Sequence, residues 1–255
     1  MQELYFRELG EGKPLIILHG LLGTSDNWLT LGKKYAEHFK VYILDQRNHG
    51  QSFHDDEFSY PAMAEDLLSF MNNQNIEKAH ILGHSMGGKV AMTFATEHPN
   101  RVDKLIVADI GPQSYPPHHT LIFKGLFSLD LPNLSSRKEA DEKLAEYIPE
   151  FGVRQFLLKN LARNNDAFEW KMNLDVIAKE IDKVGLGLNH NAEYKGSTLF
   201  VRGGKSDYIK DSDFNLIHSI FKDSKIETIK GAGHWLHAEK PEEFLNLTLD
   251  YLQNG

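Results

Sequence analysis

Ser85 stands between two glycines, in Gly83-His84-Ser85-Met86-Gly87, and its surroundings suit it to act as a nucleophile. A short apolar run at 79–82 precedes it, and a stretch of small residues with helical spacing at 87–98 follows. A serine on a tight strand-to-helix turn carries its hydroxyl above the sheet edge, and the flanking glycines let the turn form and a substrate approach. The N–H of Met86 would then point into the same space from a helix N-terminus, where developing negative charge is favoured. The five-residue pattern alone arises by chance in roughly one chain of this length in ten. The weight therefore rests on the strand before it and the helix after it.

Acyl transfer through a serine needs a base, an orienting carboxylate and a second oxyanion donor. His234 follows the last apolar run, in Gly231-Ala232-Gly233-His234-Trp235, and precedes a helical pattern at 241–252. From there an imidazole can reach across the carboxyl edge of a parallel sheet, where sites in such folds gather. The chain has 13 histidines, so a loop histidine means little until it is paired with the serine turn. His84 is expected to face the packing, and His237 to start the last helix.

Two aspartates are open as the acid. Asp109 follows the run 105–108 and Asp207 the run 199–201, and both lie at carboxyl ends of expected strands. Each also reads as an ordinary turn residue. The second oxyanion donor is expected from Leu21, in His19-Gly20-Leu21-Leu22-Gly23, where Gly20 lets the backbone turn toward the serine. Leu22, Trp28, Phe123, Phe127, Trp170 and Trp235 are candidates for an acyl pocket, and each is equally readable as core. Lys89 and Arg47 could meet an anionic substrate. Their simpler reading is structural, with Lys89 one turn into a helix and Arg47 bracing the loop at Asp45.

The elements that must position these residues are legible in the hydropathy. Short continuous apolar runs, among them Leu15-Ile16-Ile17-Leu18, Val41-Tyr42-Ile43-Leu44 and Leu105-Ile106-Val107-Ala108, alternate with longer helical patterns. Continuous rather than alternating runs suit parallel strands covered on both faces. An antiparallel strand is expected at 4–9. The rhythm breaks between Gly111 and Gly196, where helical segments are expected at 121–129, 137–147, 153–160 and 170–182, and no strand. The reading is therefore α/β: a core of residues 1–111 and 196–255, with a helical cap inserted at 112–195.

Bulk properties narrow the function. Hydrophobic residues make up 41% and charged residues 25% of the 255, ordinary values for a globular chain. The net charge of −8 and the lack of a basic stripe argue against a nucleic-acid partner. The chain has no cysteine, which removes disulfides, thiolate metal sites and a cysteine nucleophile together. No metal-ligand spacing or phosphate-binding glycine loop is seen, so no cofactor is expected; His118 and His119 read as surface residues of a proline-rich loop. The N-terminus lacks the form of a signal peptide, and no run is long enough to span a membrane, so a cytoplasmic location is expected.

Taken together, these segments resemble the α/β-hydrolase superfamily. They are most similar to a bacterial esterase branch related to the abhydrolase-domain-11 proteins. The resemblance is carried by His19-Gly20-Leu21-Leu22-Gly23 with Asp26-Asn27-Trp28, by Asp45-Gln46-Arg47-Asn48-His49-Gly50-Gln51-Ser52, and by Gly83-His84-Ser85-Met86-Gly87-Gly88-Lys89. Asp109-Ile110-Gly111-Pro112 and the run from Gly231 to Pro241 complete it. It implies a mostly parallel sheet with helices on both faces and a serine carboxylesterase acting on small esters or thioesters through an acyl-enzyme. It also bears on the acid. The wider superfamily has a carboxylate in a Gly-x-x-Asp pattern after the seventh strand, and counting from Gly203 that position holds Ser206. In the resembling branch the aspartate of Asp-Ile-x-Pro takes the role, which carries onto Asp109. Serine at the nucleophile position argues against the epoxide hydrolases and haloalkane dehalogenases of this fold. A carbon–carbon bond hydrolase or lyase of the menaquinone-pathway type, or a non-catalytic ligand-binding scaffold, are the alternative readings.

Overall fold

The computed structural model describes residues 2–116, 119–165, 167–189 and 191–254. Pro117 and His118, of the proline-rich loop, lie outside the described residues. Seven strands form the main sheet: β1 (Phe6–Leu9), β2 (Pro14–Leu18), β3 (Lys40–Leu44), β4 (Ala79–His84), β5 (Val102–Ala108), β8 (Tyr194–Gly203) and β9 (Phe221–Ile229). Their order is β1-β3-β2-β4-β5-β8-β9. The first strand is antiparallel to β3, and the remaining pairs are parallel. From β2 the chain winds outward to β3, whereas from β4 it winds the other way through β5, β8 and β9. The winding therefore reverses between β2 and β4, and a crevice opens at their carboxyl ends.

The strands read as continuous apolar runs because both faces of the sheet are covered. Ile16, Leu18, Ile81 and Val107 pack toward α2 (Tyr60–Asn73) and α3 (Met86–Glu97). Leu15, Ile17, Leu82 and Ile106 pack on the opposite face toward α1 (Leu29–Tyr35) and α11 (Pro241–Asn254). A Ser59 hydroxyl caps α2 by accepting the Ala62 N–H, and proline in the first turn fits a position with no backbone bond to lose. The short α9 (Phe214–Ile220) and α10 (Leu236–Glu239) flank β9 and the loop that carries His234.

Residues 112–193 leave the sheet after β5 and return as β8, its direct neighbour, so the insert does not interrupt the strand order. It contains α4 (Thr120–Phe127), α5 (Arg137–Leu144), α6 (Phe151–Leu158), α7 (Leu174–Lys179) and α8 (Ile181–Val184). It is not wholly helical. An antiparallel hairpin, β6 (Leu161–Asn164) and β7 (Ala167–Trp170), lies where no strand is predicted. Asn165 takes φ 53°, the left-handed conformation that tight hairpin turns require and asparagine tolerates. Trp170 thus belongs to β7, and the helix predicted from it begins at Leu174, where the Asn173 side chain accepts the Val176 N–H. One contact straps the end of the insert to the core, and two tie that end to the insert's own first residues. Tyr60 Oη donates to the Val184 carbonyl at 2.5 Å, Tyr115 N–H to Gly185 at 2.7 Å, and Leu188 N–H to Pro112 at 2.9 Å. No described helix is long and apolar enough to cross a membrane.

Candidate active site

Ser85 closes β4 and opens α3 with φ 52° and ψ −119°, a backbone conformation that few side chains adopt. The glycines around it are demanded by contact. A Cβ on Gly83 would collide with the Gly87 carbonyl, and one on Gly87 would lie 2.6 Å from the His19 carbonyl oxygen. The Ser85 N–H donates to the Ala108 carbonyl at the end of β5 (3.0 Å), which ties the sharp turn to the sheet.

His234 lies between Ser85 and Asp109. Its Nε2 is 3.0 Å from Ser85 Oγ, and its Nδ1 is 2.8 Å from Asp109 Oδ2. Asp109 is fully buried and sits at φ 49°, with its own N–H donating to the Val201 carbonyl of β8 (2.8 Å). Its Oδ1 accepts the Gly203 N–H at 2.8 Å, and its Oδ2 also accepts the Ser206 hydroxyl. Asp207 is not brought to this line. Its side chain is 96% exposed and lies 3.9 Å from Lys210 Nζ. Two residues brace His234 that the sequence did not mark for this purpose. Tyr208 stacks on its ring, centroids 4.0 Å apart at 20°, and His84 Nε2 donates to its carbonyl at 2.9 Å.

The loop after β2 reaches the same place. A Cβ on Gly20 would come within 3.3 Å of Ser85 Cβ, so the glycine allows the close approach. Two buried histidines hold this loop. His49 Nε2 accepts the Leu22 N–H at 3.1 Å, and His19 Nε2 accepts the Gln46 N–H at 3.0 Å. Each ring then donates from Nδ1 to a carbonyl, Arg47 at 2.9 Å and Gly20 at 2.8 Å. A ring that accepts at one nitrogen and donates at the other is neutral. Leu21, with Met86 in the first turn of α3, lines the same cavity as Ser85.

Burial makes these histidines hard to charge. It pushes His19 down to about 4, and His49 and His237 down to about 3, and it holds His84 well below the ordinary value. An unfolded histidine takes up a proton near pH 6.5, and these folded ones do not. Their contribution to stability is therefore complete above pH 6.5 and is lost as pH falls toward the folded values. The slope is up to about 1.4 kcal/mol per pH unit for each histidine. Thermal melting is expected to drop progressively from pH 6.5 to pH 4. His237 stacks on Trp28 at 4.3 Å and 6°, so His237→Phe keeps a ring there and removes the titration. Its melting curve against pH should be shallower than that of the parent; parallel curves would contradict the account.

The cavity at Ser85 is small, about 30 Å³. Leu21, Tyr60, Met86, Ile110 and Tyr208 of the core line it together with Tyr115, Ile181 and Val184 of the insert. None of the six residues predicted for an acyl pocket lines it. Trp28 and Leu22 are buried, Trp28 against His237 and Phe244, and the Leu22 carbonyl accepts from Asn160 Nδ2 at 2.7 Å. Trp170 is paired with Leu161 in the hairpin, and the Trp235 ring lies 5.7 Å from that of Phe156. Phe123 and Phe127 line a separate hollow on the insert. Tyr60, Ile181 and Tyr208, which do line the cavity, carry no local signal for it, because their convergence is set by the fold.

Arg47 and Lys89 are held in structural pairings. Arg47 braces the loop that follows Asp45: it forms a bidentate pair with Asp66 on α2 and donates to the Glu57 carbonyl at 2.9 Å. Lys89 is fully buried, donates to the Gln113 carbonyl at 2.5 Å and lies over the Tyr115 ring; burial brings its ammonium down to about 7. On the surface, Glu65, Glu97 and His98 bring ligand-type atoms within 4.8 Å of one another, and His98 is paired there with Glu65 at 3.2 Å.

Comparison with known proteins agrees with this architecture. Residues 13–137 match the family described as alpha/beta hydrolase fold. The chain is 37% identical over 252 residues to the sn-1-specific diacylglycerol lipase ABHD11 of Xenopus laevis, covering 96% of this chain and 81% of that protein. It is 34% identical over 242 residues to esterase YbfF of Escherichia coli, covering 94% and 93%. Among solved structures, a marine microorganism esterase superposes with a TM-score of 0.95 at 46% identity, covering 98% of this chain and all of that one.

Proposed function

The chain belongs to the α/β-hydrolase family, and from that premise we propose that it is a serine carboxylesterase acting on small esters or thioesters through an acyl-enzyme. The observation that carries this reading is the unbroken line from Ser85 Oγ through His234 to the buried carboxylate of Asp109, with 3.0 and 2.8 Å between partners. In the first step His234 Nε2 takes the Ser85 proton as the oxygen attacks the ester carbonyl. The Leu21 and Met86 N–H groups receive the oxyanion, and each such donor is worth about 3–4 kcal/mol of transition-state stabilisation. The imidazolium then gives its proton to the departing alcohol. The same nitrogen activates water for deacylation, and Asp109 balances the transient positive charge throughout.

The roof of the site comes from the insert, which acts in this reading as a cap. A cavity of about 30 Å³ favours a short acyl group over a bulky one. The names of the Escherichia coli and marine relatives, both esterases, support an ester carbonyl as the target. So does the lipase named in Xenopus laevis, which points to a glycerol ester as one member of the class. Pre-steady-state mixing with p-nitrophenyl acetate is expected to release a burst of nitrophenol stoichiometric with enzyme. A fluorophosphonate should add its mass to the peptide containing Ser85. A protein that neither bursts nor labels would overturn the reading, and turnover of a vinylogous diketone faster than of the ester would move it to carbon–carbon hydrolysis.

A further inference from the structure

The cavity beside Ser85 and the hollow on the outside of the insert share a wall. The outer hollow is about 550 Å³ and lies between α4 and the α7–α8 region, with Phe123, Phe127 and Ala178 as its apolar lining. Ile181, the first residue of α8, lines both spaces. We propose that Ile181 divides what is otherwise one acyl channel and so sets the chain length of the ester. Short acyl groups end against it; a longer tail displaces it and lies in the groove of Phe123 and Phe127. This rests on the esterase reading above and adds the residue that sets substrate length.

Size is the first argument. A space of about 30 Å³ holds one or two groups the size of water, roughly an acetyl or propionyl chain. A longer chain needs more room than this. Met86 and Ile110 are buried within the core that packs on α3, so they give no exit. Tyr60 is held by its bond to the Val184 carbonyl, and Tyr115 by its bond to the Tyr208 carbonyl at 2.6 Å. Ile181 differs from these because an open hollow adjoins it.

The outer hollow is also suited to an alkyl tail. Phe127 is 52% exposed where it lines the hollow, so α4 presents there apolar surface that burial against a chain would satisfy. Each methylene laid there contributes about as much as one removed from water. Continuity through one side chain is what connects this surface to the reacting carbonyl, and it is why an acyl tail is the occupant assigned rather than a partner protein.

The test compares kcat/KM for p-nitrophenyl esters from acetate to decanoate in four proteins: the parent, Ile181→Ala, Ile181→Trp and the double variant Ile181→Ala with Phe127→Asp. Each is first titrated with a fluorophosphonate, so that loss of the nucleophile or of the fold is read separately from loss of selectivity. Ile181→Ala is expected to raise the octanoate-to-acetate ratio roughly tenfold or more, the effect of one or two methylenes in an apolar pocket. Ile181→Trp should lower the butyrate-to-acetate ratio. Adding Phe127→Asp should return the Ile181→Ala ratio toward the parent value. A profile unchanged in correctly labelled Ile181→Ala and Ile181→Trp overturns the inference, as does a gain that survives Phe127→Asp. Should the alanine variant not fold, the tryptophan variant alone decides. Absence of labelling in the parent would instead count against the esterase reading.

Discussion

Ser85→Ala is expected to lower kcat on a short-chain ester by about a millionfold while leaving the fold intact. The size follows from how nucleophile, base and acid act as a unit: once the attacking oxygen is gone, His234 and Asp109 have no proton to move. The activity that remains should be the roughly thousandfold to ten-thousandfold advantage over water that oxyanion donors and substrate binding supply by themselves. Stability should change little. The Ser85 side chain makes a hydrogen bond to His234 at 3.0 Å, and the turn itself is held by the backbone bond from Ser85 N–H to Ala108. Relieving a strained functional site of its polar group commonly leaves a protein as stable or slightly more so. The measurement pairs steady-state kinetics on protein free of host esterases with thermal melting. A variant that keeps more than about a hundredth of the parent kcat would assign the attack to another group. A non-catalytic scaffold would show no activity to lose in the parent.

Much of this site was legible because its parts are local. The β4–Ser85–α3 turn announces itself in five residues, since two close backbone approaches, at Gly83 and Gly87, exclude any side chain there. His234 is marked by its place after the last strand, and the structure sets its Nε2 3.0 Å from Ser85 Oγ. The continuous apolar strands gave the two-faced sheet, because alternate residues of each run, such as Leu15 and Ile16, pack on opposite layers. What local pattern did not carry was tertiary. The hairpin strands β6 and β7 are only four residues each and bury only Leu161 and Phe168, too short a pattern to register as strands. Trp28 and Trp235 looked like pocket residues because large aromatics fit either role, and the ring stack of Trp28 on His237 is invisible until α10 is placed. Tyr208 reaches His234 from a loop of β8, and Ile181 reaches the cavity from the far end of the insert. Neither position has a periodicity that could have marked it.

The identity of the acid gives the second large effect: Asp109→Asn should lower kcat by about ten-thousandfold, and Asp207→Asn by less than about twofold. The backbone should accept the first change, because asparagine is among the residues best tolerated at positive φ and Asp109 sits at φ 49°. The hydrogen bonds cannot accept it. Oδ1 of Asp109 receives the Gly203 N–H, and Oδ2 receives both Ser206 Oγ–H and the His234 ring. An asparagine that keeps its oxygen toward Gly203 turns its NH₂ to His234, where Nδ1 must then become the acceptor. The ring proton moves to Nε2, and the nitrogen facing Ser85 can no longer take a proton; this tautomer switch is the origin of the expected magnitude. The flipped amide sets NH₂ against the Gly203 N–H, two donors face to face in a buried site, and is no escape. Asp207, by contrast, is 96% exposed and faces solvent and Lys210, so its amide should behave as an ordinary surface substitution. Ser206 donates its hydroxyl to Asp109 Oδ2, which makes Ser206→Ala a useful intermediate: its loss should fall between those of the two asparagine variants. A collapse of kcat in Asp207→Asn with Asp109→Asn near the parent value would reverse the assignment.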